Sequence, residues 1–306
     1  MTKLALKIDV DTYRGTREGV PRLVEILKKH AAGATFLFSL GPDHTGRAIT
    51  RAFRPGFMKK VSRTSVLEHY GLKTLLYGTL LPGPDIGRTC ADILRSVRDA
   101  GFETGVHTWD HVKWQDGVAG ADADWTATQM KLAMDRFEEI FGEPARVHGA
   151  AGWQMNAHAL RLTQRLGFHY CSDSRGHSPF IPVMRAELSA CPQLPTTLPT
   201  LDELLGHNGI DQSNVANHLL NLTMNPPDSD NRGHVYTLHA ELEGGKLSGI
   251  FEELLAGWKS QGYELVAMRD LYQTLDMNRL PRNELAMDEV PGRSGTLAVQ
   301  GREFLS

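Results

Sequence analysis

Three observations predict an α/β fold arranged as a distorted (β/α) barrel. Short β-rich runs alternate with amphipathic helical patterns along most of the chain, which implies a mainly parallel sheet covered by helices. Roughly seven such runs occur, which suits a barrel better than an open doubly wound sheet. Aspartate and histidine residues gather where several of those runs end, and in a parallel barrel all strand C-termini open on one face.

The elements follow in order. "LALKIDVD" (4–11) reads as the first strand, and "REGVPRLVEILKKHA" (17–31) as a helix with Val20, Leu23, Val24 and Leu27 on one face. "GATFLFSLG" (33–41) is the second strand. After an interruption at 42–88, "TCADILRSVRDAG" (89–101) is a helix closed by a glycine, and "FETGVH" (102–107) is a strand. "DWTATQMKLAMDRFEEIFG" (124–142) is an amphipathic helix whose Met130, Ala133, Phe137, Ile140 and Phe141 share a face. "ARVHGAA" (145–151) and "HYCSDS" (169–174) are short strands around the helix "NAHALRLTQRLG" (156–167). "HVYTLHAE" (234–241), "GIFEELLAGWKSQG" (249–262) and "YELVAM" (263–268) complete the pattern as strand, helix and strand. One catalytic domain is expected over 1–275, and residues 276–306 lack periodicity and read as a C-terminal tail.

The 306 residues are 41% hydrophobic and 23% charged, an ordinary globular composition. A formal net charge of −3 gives no whole-chain case for binding nucleic acid. Cys90, Cys171 and Cys191 are too few and too widely spaced for a disulfide framework, so they are expected as small buried residues in a reducing compartment. The N-terminal apolar run meets Asp9 and Asp11 too early for a signal peptide, and no spanning helix is expected.

Residues 42–88 break the alternation. Arg51, Arg54, Lys59, Lys60, Arg63 and Lys73 are set against Glu68 and Asp85, and interleave with apolar residues such as Phe53, Phe57, Met58 and Leu75. A basic amphipathic insertion of this kind can lie in the headgroup layer of an anionic bilayer. A lid packed on the barrel, with its cations in water, has the same composition.

Asp9 and Asp11 stand two apart at the end of the first strand, so both carboxylates point to one side. His107 and His111 follow the end of another strand, and His239 lies near the end of a third. Taken singly, each has a plain reading. Two histidines four apart arise easily among thirteen, an Asp-x-Asp can cap a helix, and a strand histidine can be a hydrogen-bonded core residue. "HTWDH" also lacks the glutamate of a helical zinc-protease motif. Joint placement on one barrel face favours a metal-assisted reaction centre. One aspartate and two histidines suit Zn, Co, Mn or Fe(II), with positions left for water and substrate. A second carboxylate outside the ligand set can take a proton from water, and a histidine opposite it can protonate a leaving amine, as amide hydrolysis requires.

The ordered set "IDVD" (8–11), "HTWDH" (107–111) and "TLH" (237–239) resembles the polysaccharide deacetylases of NodB-like fold (carbohydrate esterase family 4), over roughly residues 4–270. The resemblance implies a distorted (β/α) barrel of NodB-like type, with the helical basic insertion after the second strand, and hydrolysis of an N-acyl group on an amino sugar. It implies Asp9 as catalytic base, His239 as catalytic acid, and Asp11, His107 and His111 as ligands of one divalent ion, Zn, Co or Mn. Where that family has an Arg-Pro-Pro-like motif this chain has "RVHGAAGW" (146–153), with His148 in the arginine place. A later aspartate motif is reduced to "CSDSRG" (171–176), where Asp173 would orient His239. Trp109, Trp153 and Arg175 are pocket candidates by their nearness to the motifs.

"LKIDVDTYRGTREGVPRL" (6–23), the basic insertion and "RVHGAAGW" resemble a branch of that family that removes a formyl group from formamido-arabinose carried on undecaprenyl phosphate. This implies a polyprenyl-phosphate-linked amino sugar as substrate, a product used in lipid A modification, and neither a nucleic acid nor an obligate protein partner. It also implies a cytoplasmic enzyme peripheral to the inner membrane, with Arg51, Arg54, Phe57, Lys59, Lys60 and Arg63 meeting its anionic surface. A polyprenyl carrier stays in the bilayer, so its enzyme has to come to it. The alternative is a soluble deacetylase of chitin-like or peptidoglycan N-acetyl sugars.

Overall fold

The computed structural model describes residues 1–48, 73–224 and 233–304. Strands β1 (Lys3–Val10), β2 (Thr35–Ser39), β3 (Glu103–Thr108), β4 (Val147–His148) and β5 (Tyr170–Cys171) are followed by β6 (Ile181–Met184) and β7 (Glu187–Leu188). Next come β8 (His234–His239), β9 (Glu264–Val266), β10 (Arg282–Glu289) and β11 (Thr296–Glu303). Strands β1–β5, β8 and β9 form one parallel sheet in the order β5-β4-β3-β2-β1-β8, with β9 paired to the first residues of β1. Strands β5 and β8 do not pair directly. Between them runs an extended segment in which Leu194 N donates to Cys171 O (2.8 Å) and Thr197 N to Val235 O (3.0 Å). That irregular link is what distorts the barrel.

Strand β1 explains the layering. Its residues 4–10 are all buried, as expected for a strand covered on both faces. Leu4, Leu6, Ile8 and Val10 join the large core cluster under the helices, while Ala5 joins a smaller cluster with Leu37, Val147, Tyr170 and Val235. Side chains alternate along a strand, so Lys7, Asp9 and Asp11 share the inner face with Ala5.

Helices α1 (Val20–Lys29), α2 (Ala91–Asp99), α4 (Ala123–Phe141), α5 (Ala157–Arg165) and α6 (Ser248–Ser260) lie near their expected places, while α3 (His111–Gly117) forms where the sequence reading places no helix. A π turn over Gly15–Gly19 replaces the expected start of the first helix. In α4, Asp122 caps the N-terminus by accepting from Trp125 N, and Gly142 ends it at φ +74, a left-handed conformation that glycine adopts without steric cost. Thr126, Met130, Ala133, Phe137 and Phe141 form its buried face.

Residues 276–306 correct the expectation of an unpatterned tail. Strands β10 and β11 form an antiparallel hairpin there, and β10 pairs in parallel with β6. Leu285, Leu297 and Ala298 are buried by this docking.

The described ends of the 42–88 insertion are stitched to each other. Asp43 N donates to Pro84 O and Gly46 N to Tyr77 O, each at 2.9 Å. Leu80 there is 80% exposed. Arg51, Arg54, Phe57, Lys59, Lys60 and Arg63 lie outside the described residues. Among the described residues no helix is long and apolar enough to cross a membrane.

Candidate metal centre and active site

Strand ends bring together the five residues singled out in the sequence. Asp9 and His239 are register partners on adjacent parallel strands β1 and β8. Their Cα atoms are therefore about 4.8 Å apart and their side chains share a face. Asp11 follows β1, His107 lies near the end of β3, and His111 opens α3. That helix is held by Asp110, whose Oδ1 accepts from Lys113 N while Oδ2 meets His44 Nδ1 at 2.6 Å.

Asp11, His107 and His111 offer ligand atoms that all lie within 4.8 Å of one another. Asp11 Oδ1 is 3.2 Å from His107 Nε2, and Asp11 Oδ2 is 3.4 Å from His111 Nε2. His107 Nδ1 faces the carbonyl of Gly149 at 2.6 Å, an arrangement that places the proton on Nδ1 and turns the Nε2 lone pair towards Asp11. A Cβ at Gly149 would lie 2.4 Å from Leu37 Cδ1, so a side chain there would force the buried Leu37 to shift. Asp11 Oδ1 is buried without a hydrogen-bond partner among the described residues. A convergent, largely desolvated set of one carboxylate and two imidazoles fits a divalent cation. Burial works against ionised Asp11, but His111 and His107 outweigh it and hold the carboxyl well below its ordinary range. Burial likewise opposes protonated His107, while Asp9 and Asp11 raise its pKa.

Two residues before Asp9 stands Lys7, which is fully buried. Its Nζ lies 3.3 Å from Asp9 Oδ2 and donates to Ser172 O at 3.1 Å. It also sits 5.2 Å from the centre of the Trp153 ring. The other carboxylate oxygen, Asp9 Oδ1, has no hydrogen-bond partner among the described residues. Sequence reasoning missed Lys7, although the alternation that paired Asp9 with Asp11 also placed residue 7 on their face.

Two glutamates after His239 were missed as well. Glu241 Oε1 accepts from Asp11 N (3.2 Å), Thr12 N (2.8 Å) and Thr12 Oγ1 (2.7 Å), so it fixes the turn that carries Asp11. Glu243 Oε2 accepts from His239 N (2.9 Å) and its Oε1 from Tyr236 OH (3.1 Å). Burial raises the Glu243 carboxyl to about 7, against the opposing pull of His239.

The remaining site expectations are redistributed. Asp173 does not orient His239. Its Oδ1 meets His148 Nδ1 (2.7 Å) and Ala150 N (2.9 Å), and its Oδ2 accepts from Gln193 Nε2 (3.0 Å). His239 Nδ1 has no hydrogen-bond partner among the described residues. His148 is thus tied to Asp173, and Lys7 supplies the cation at Asp9. His148, Asp173 and the buried Cys171 also cluster, but these hydrogen bonds already engage the carboxylate, and Cys171 Sγ lies 3.5 Å from Cys191 Sγ. All three cysteines are buried free thiols, as expected.

Trp153, one of the pocket candidates, is 2% exposed and is held at φ +52 just after Gly152 at φ +60. Its ring is approached by the buried cations Lys7 and Arg175 and by the partly buried Arg293, so it packs among cations rather than lining an open surface. Arg175 is buried in an ion pair with Glu203. Trp109 is partly exposed, with the Arg136 guanidinium 5.1 Å from its ring.

Comparison with known proteins gives a consistent set. Residues 3–171 match the polysaccharide deacetylase family profile. The chain is 42% identical over 300 residues to a probable 4-deoxy-4-formamido-L-arabinose-phosphoundecaprenol deformylase of Shewanella sediminis, covering 98% of this chain and 95% of that one. A protein of the same name from Wigglesworthia glossinidia brevipalpis is 32% identical over 94% of this chain and 98% of its own. Among solved structures, a "putative polysaccharide deacetylase" from Mycobacterium smegmatis superposes with a TM-score of 0.62 at 17% identity, covering 94% and 96% of the two chains, which shows the shared fold.

Proposed function

The chain belongs to the polysaccharide deacetylase family, and on that premise we propose that it hydrolyses the N-formyl group of 4-deoxy-4-formamido-L-arabinose linked to undecaprenyl phosphate. The products are formate and the free amino-sugar lipid, which serves lipid A modification. One structural observation carries the chemistry: a carboxylate and an imidazole, Asp9 and His239, are register partners beside the Asp11, His107, His111 group. The near full-length likeness to two deformylases supports the substrate.

In this reading Asp11, His107 and His111 hold one divalent ion, Zn, Co or Mn. A bound ion of this kind supplies a Lewis acid that polarises the formyl carbonyl and acidifies water. Lys7 engages Asp9 Oδ2, so Oδ1 is the oxygen that takes the proton from the attacking water. His239 donates its proton to the departing nitrogen. Glu243 holds the His239 backbone, and Glu241 holds the turn bearing Asp11. Residues 1–275 form the catalytic unit. The basic part of 42–88 lies on the anionic inner-membrane surface, a placement supported by exposed Leu80 at its described end and by a substrate that stays in the bilayer.

The test is product analysis. The metal-loaded protein is incubated with formamido- and acetamido-arabinosyl polyprenyl phosphates. Formate release from the first, with the second far slower, is expected, since a formyl carbon carries only hydrogen and a tight pocket excludes the extra methyl. Turnover of soluble N-acetyl oligomers instead would favour the deacetylase alternative.

A further inference from the structure

Two consecutive residues at the base of the 42–88 insertion, Asp43 and His44, reach two different segments of the metal group. The chain leaving β2 runs into them alongside "HTWDH". Leu40 N donates to Thr108 O at 3.0 Å, and Gly41 N to Trp109 O at 2.7 Å. A Cβ at Gly41 would lie 2.6 Å from Trp109 O, so this close approach of the two backbones needs a glycine.

Asp43 is 2% exposed, and both of its oxygens are engaged. Oδ1 accepts from Thr45 N (3.0 Å) and Thr45 Oγ1 (2.6 Å), which fixes the side chain, and Oδ2 accepts from Tyr13 N (2.9 Å). Glu241 takes the amides of Asp11 and Thr12. Two buried carboxylates therefore hold three successive amides of the turn that begins at Asp11. His44 reaches the other segment. A capping carboxylate only accepts, so His44 Nδ1–H donates to Asp110 Oδ2 at 2.6 Å while Lys113 N donates to Oδ1. This bridge ties the insertion to the first turn of α3, which opens with His111. The returning limb of the insertion closes over the pair. A Cβ at Gly83 would lie 1.9 Å from Asp43 O, and one at Gly78 would lie 2.7 Å from His44 Cδ2.

We infer that Asp43 and His44 are positioning residues for the metal ligands: Asp43 steadies the turn bearing Asp11, and His44, through Asp110, sets the approach of His111 to it. The inference rests on Asp11, His107 and His111 holding the ion. His107 is oriented separately, by the carbonyl of Gly149. Asp11 and His111 come from distant parts of the chain, and one dipeptide touches the segments of both. A ligand already held in place by a hydrogen-bonded partner gives up less freedom when it binds, so the loss of such a partner weakens the ion's hold, commonly by 10–100-fold. The base of the insertion is then part of the support of the metal centre.

The test titrates Co2+ into the full chain after chelator treatment, reading heat and the visible absorption of the bound ion. His44→Ala is expected to raise the Kd for Co2+ at least about tenfold. His44→Asn, whose amide can donate to Asp110 Oδ2, is expected to recover most of the affinity. Arg293→Ala, a substitution in the C-terminal hairpin that lowers stability without touching this link, is expected to leave Kd within about twofold. An unchanged Kd in His44→Ala would overturn the inference. So would equal weakening in Arg293→Ala, because affinity would then follow stability alone. Should the wild-type protein take up no Co2+, or His107→Ala bind it as tightly as wild type, the ligand assignment itself would fail, and this inference with it.

Discussion

Lys7 and Asp9 form a buried ion pair on the inner face of a single strand, Nζ to Oδ2 at 3.3 Å. Removing one partner of such a pair leaves a desolvated charge behind. The family resemblance would draw this cation from the "RVHGAAGW" segment, but His148 of that segment is occupied with Asp173. The chain instead carries the cation two residues before the carboxylate it serves.

Lys7→Met is expected to lower kcat about a hundredfold with KM little changed, because a preorganised charge contact is lost rather than a substrate contact. Lys7→Arg is expected to restore most of it. Steady-state kinetics at saturating metal checks both, and a Lys7→Met enzyme with wild-type kcat would dismiss the positioning role.

Glu243 makes stability depend on pH. Its carboxyl titrates near 4.5 in the unfolded chain and at about 7 in the fold. Between those values the native state keeps a proton that the unfolded state releases. The stability it contributes is complete below about pH 4.5 and is lost as pH rises through about 7, on the order of 3 kcal/mol in all. Glu243→Gln, which mimics the neutral acid, is expected to remove that dependence. Urea unfolding of both proteins at pH 5 and pH 8 measures it, and identical slopes in the two would count against the assignment.

Arg293, in the turn of the C-terminal hairpin, reaches Glu203 (Nε to Oε1, 2.7 Å) and Asp202 (3.0 Å), and lies over Trp153. Arg293→Ala leaves buried Glu203 with one guanidinium partner fewer. A loss of about 3 kcal/mol in urea unfolding is expected. A loss near zero would mean that the hairpin docks without this contact.

Much of the barrel was legible because its signals are local. The run 4–11 and the pattern at 124–142 each repeat one period long enough to be read, and β1 and α4 stand within a residue or so of those bounds. The hairpin was not legible. In β10 a buried Asn283 precedes Leu285 and the register shifts between them, while in β11 the buried residues Leu297 and Ala298 are adjacent, so neither strand alternates cleanly. The link at 193–197 is short and contains Pro195, which hides it as a strand. In the site, the residues with a spacing motif were found, whereas Glu241 and Glu243 act through backbone amides of other segments, and nothing local marks such a partner.

The proposed membrane attachment is tested by charge reversal. Lys59, Lys60 and Arg63 together changed to Glu are expected to weaken binding to phosphatidylglycerol vesicles at least about a hundredfold, at roughly 1 kcal/mol per basic residue near the surface. Vesicle sedimentation at fixed ionic strength reads the change, and undiminished binding would reject an electrostatic contribution from these residues.

The central claim is a division of labour: Asp11, His107 and His111 hold the ion, and Asp9 moves the proton. Formate release and metal content, measured together on Asp9→Asn and His107→Ala, test it most directly. Asp9→Asn is expected to keep its ion and lose about a thousandfold in turnover, while His107→Ala loses both. An Asp9→Asn protein that still releases formate at near wild-type rate would contradict the mechanism.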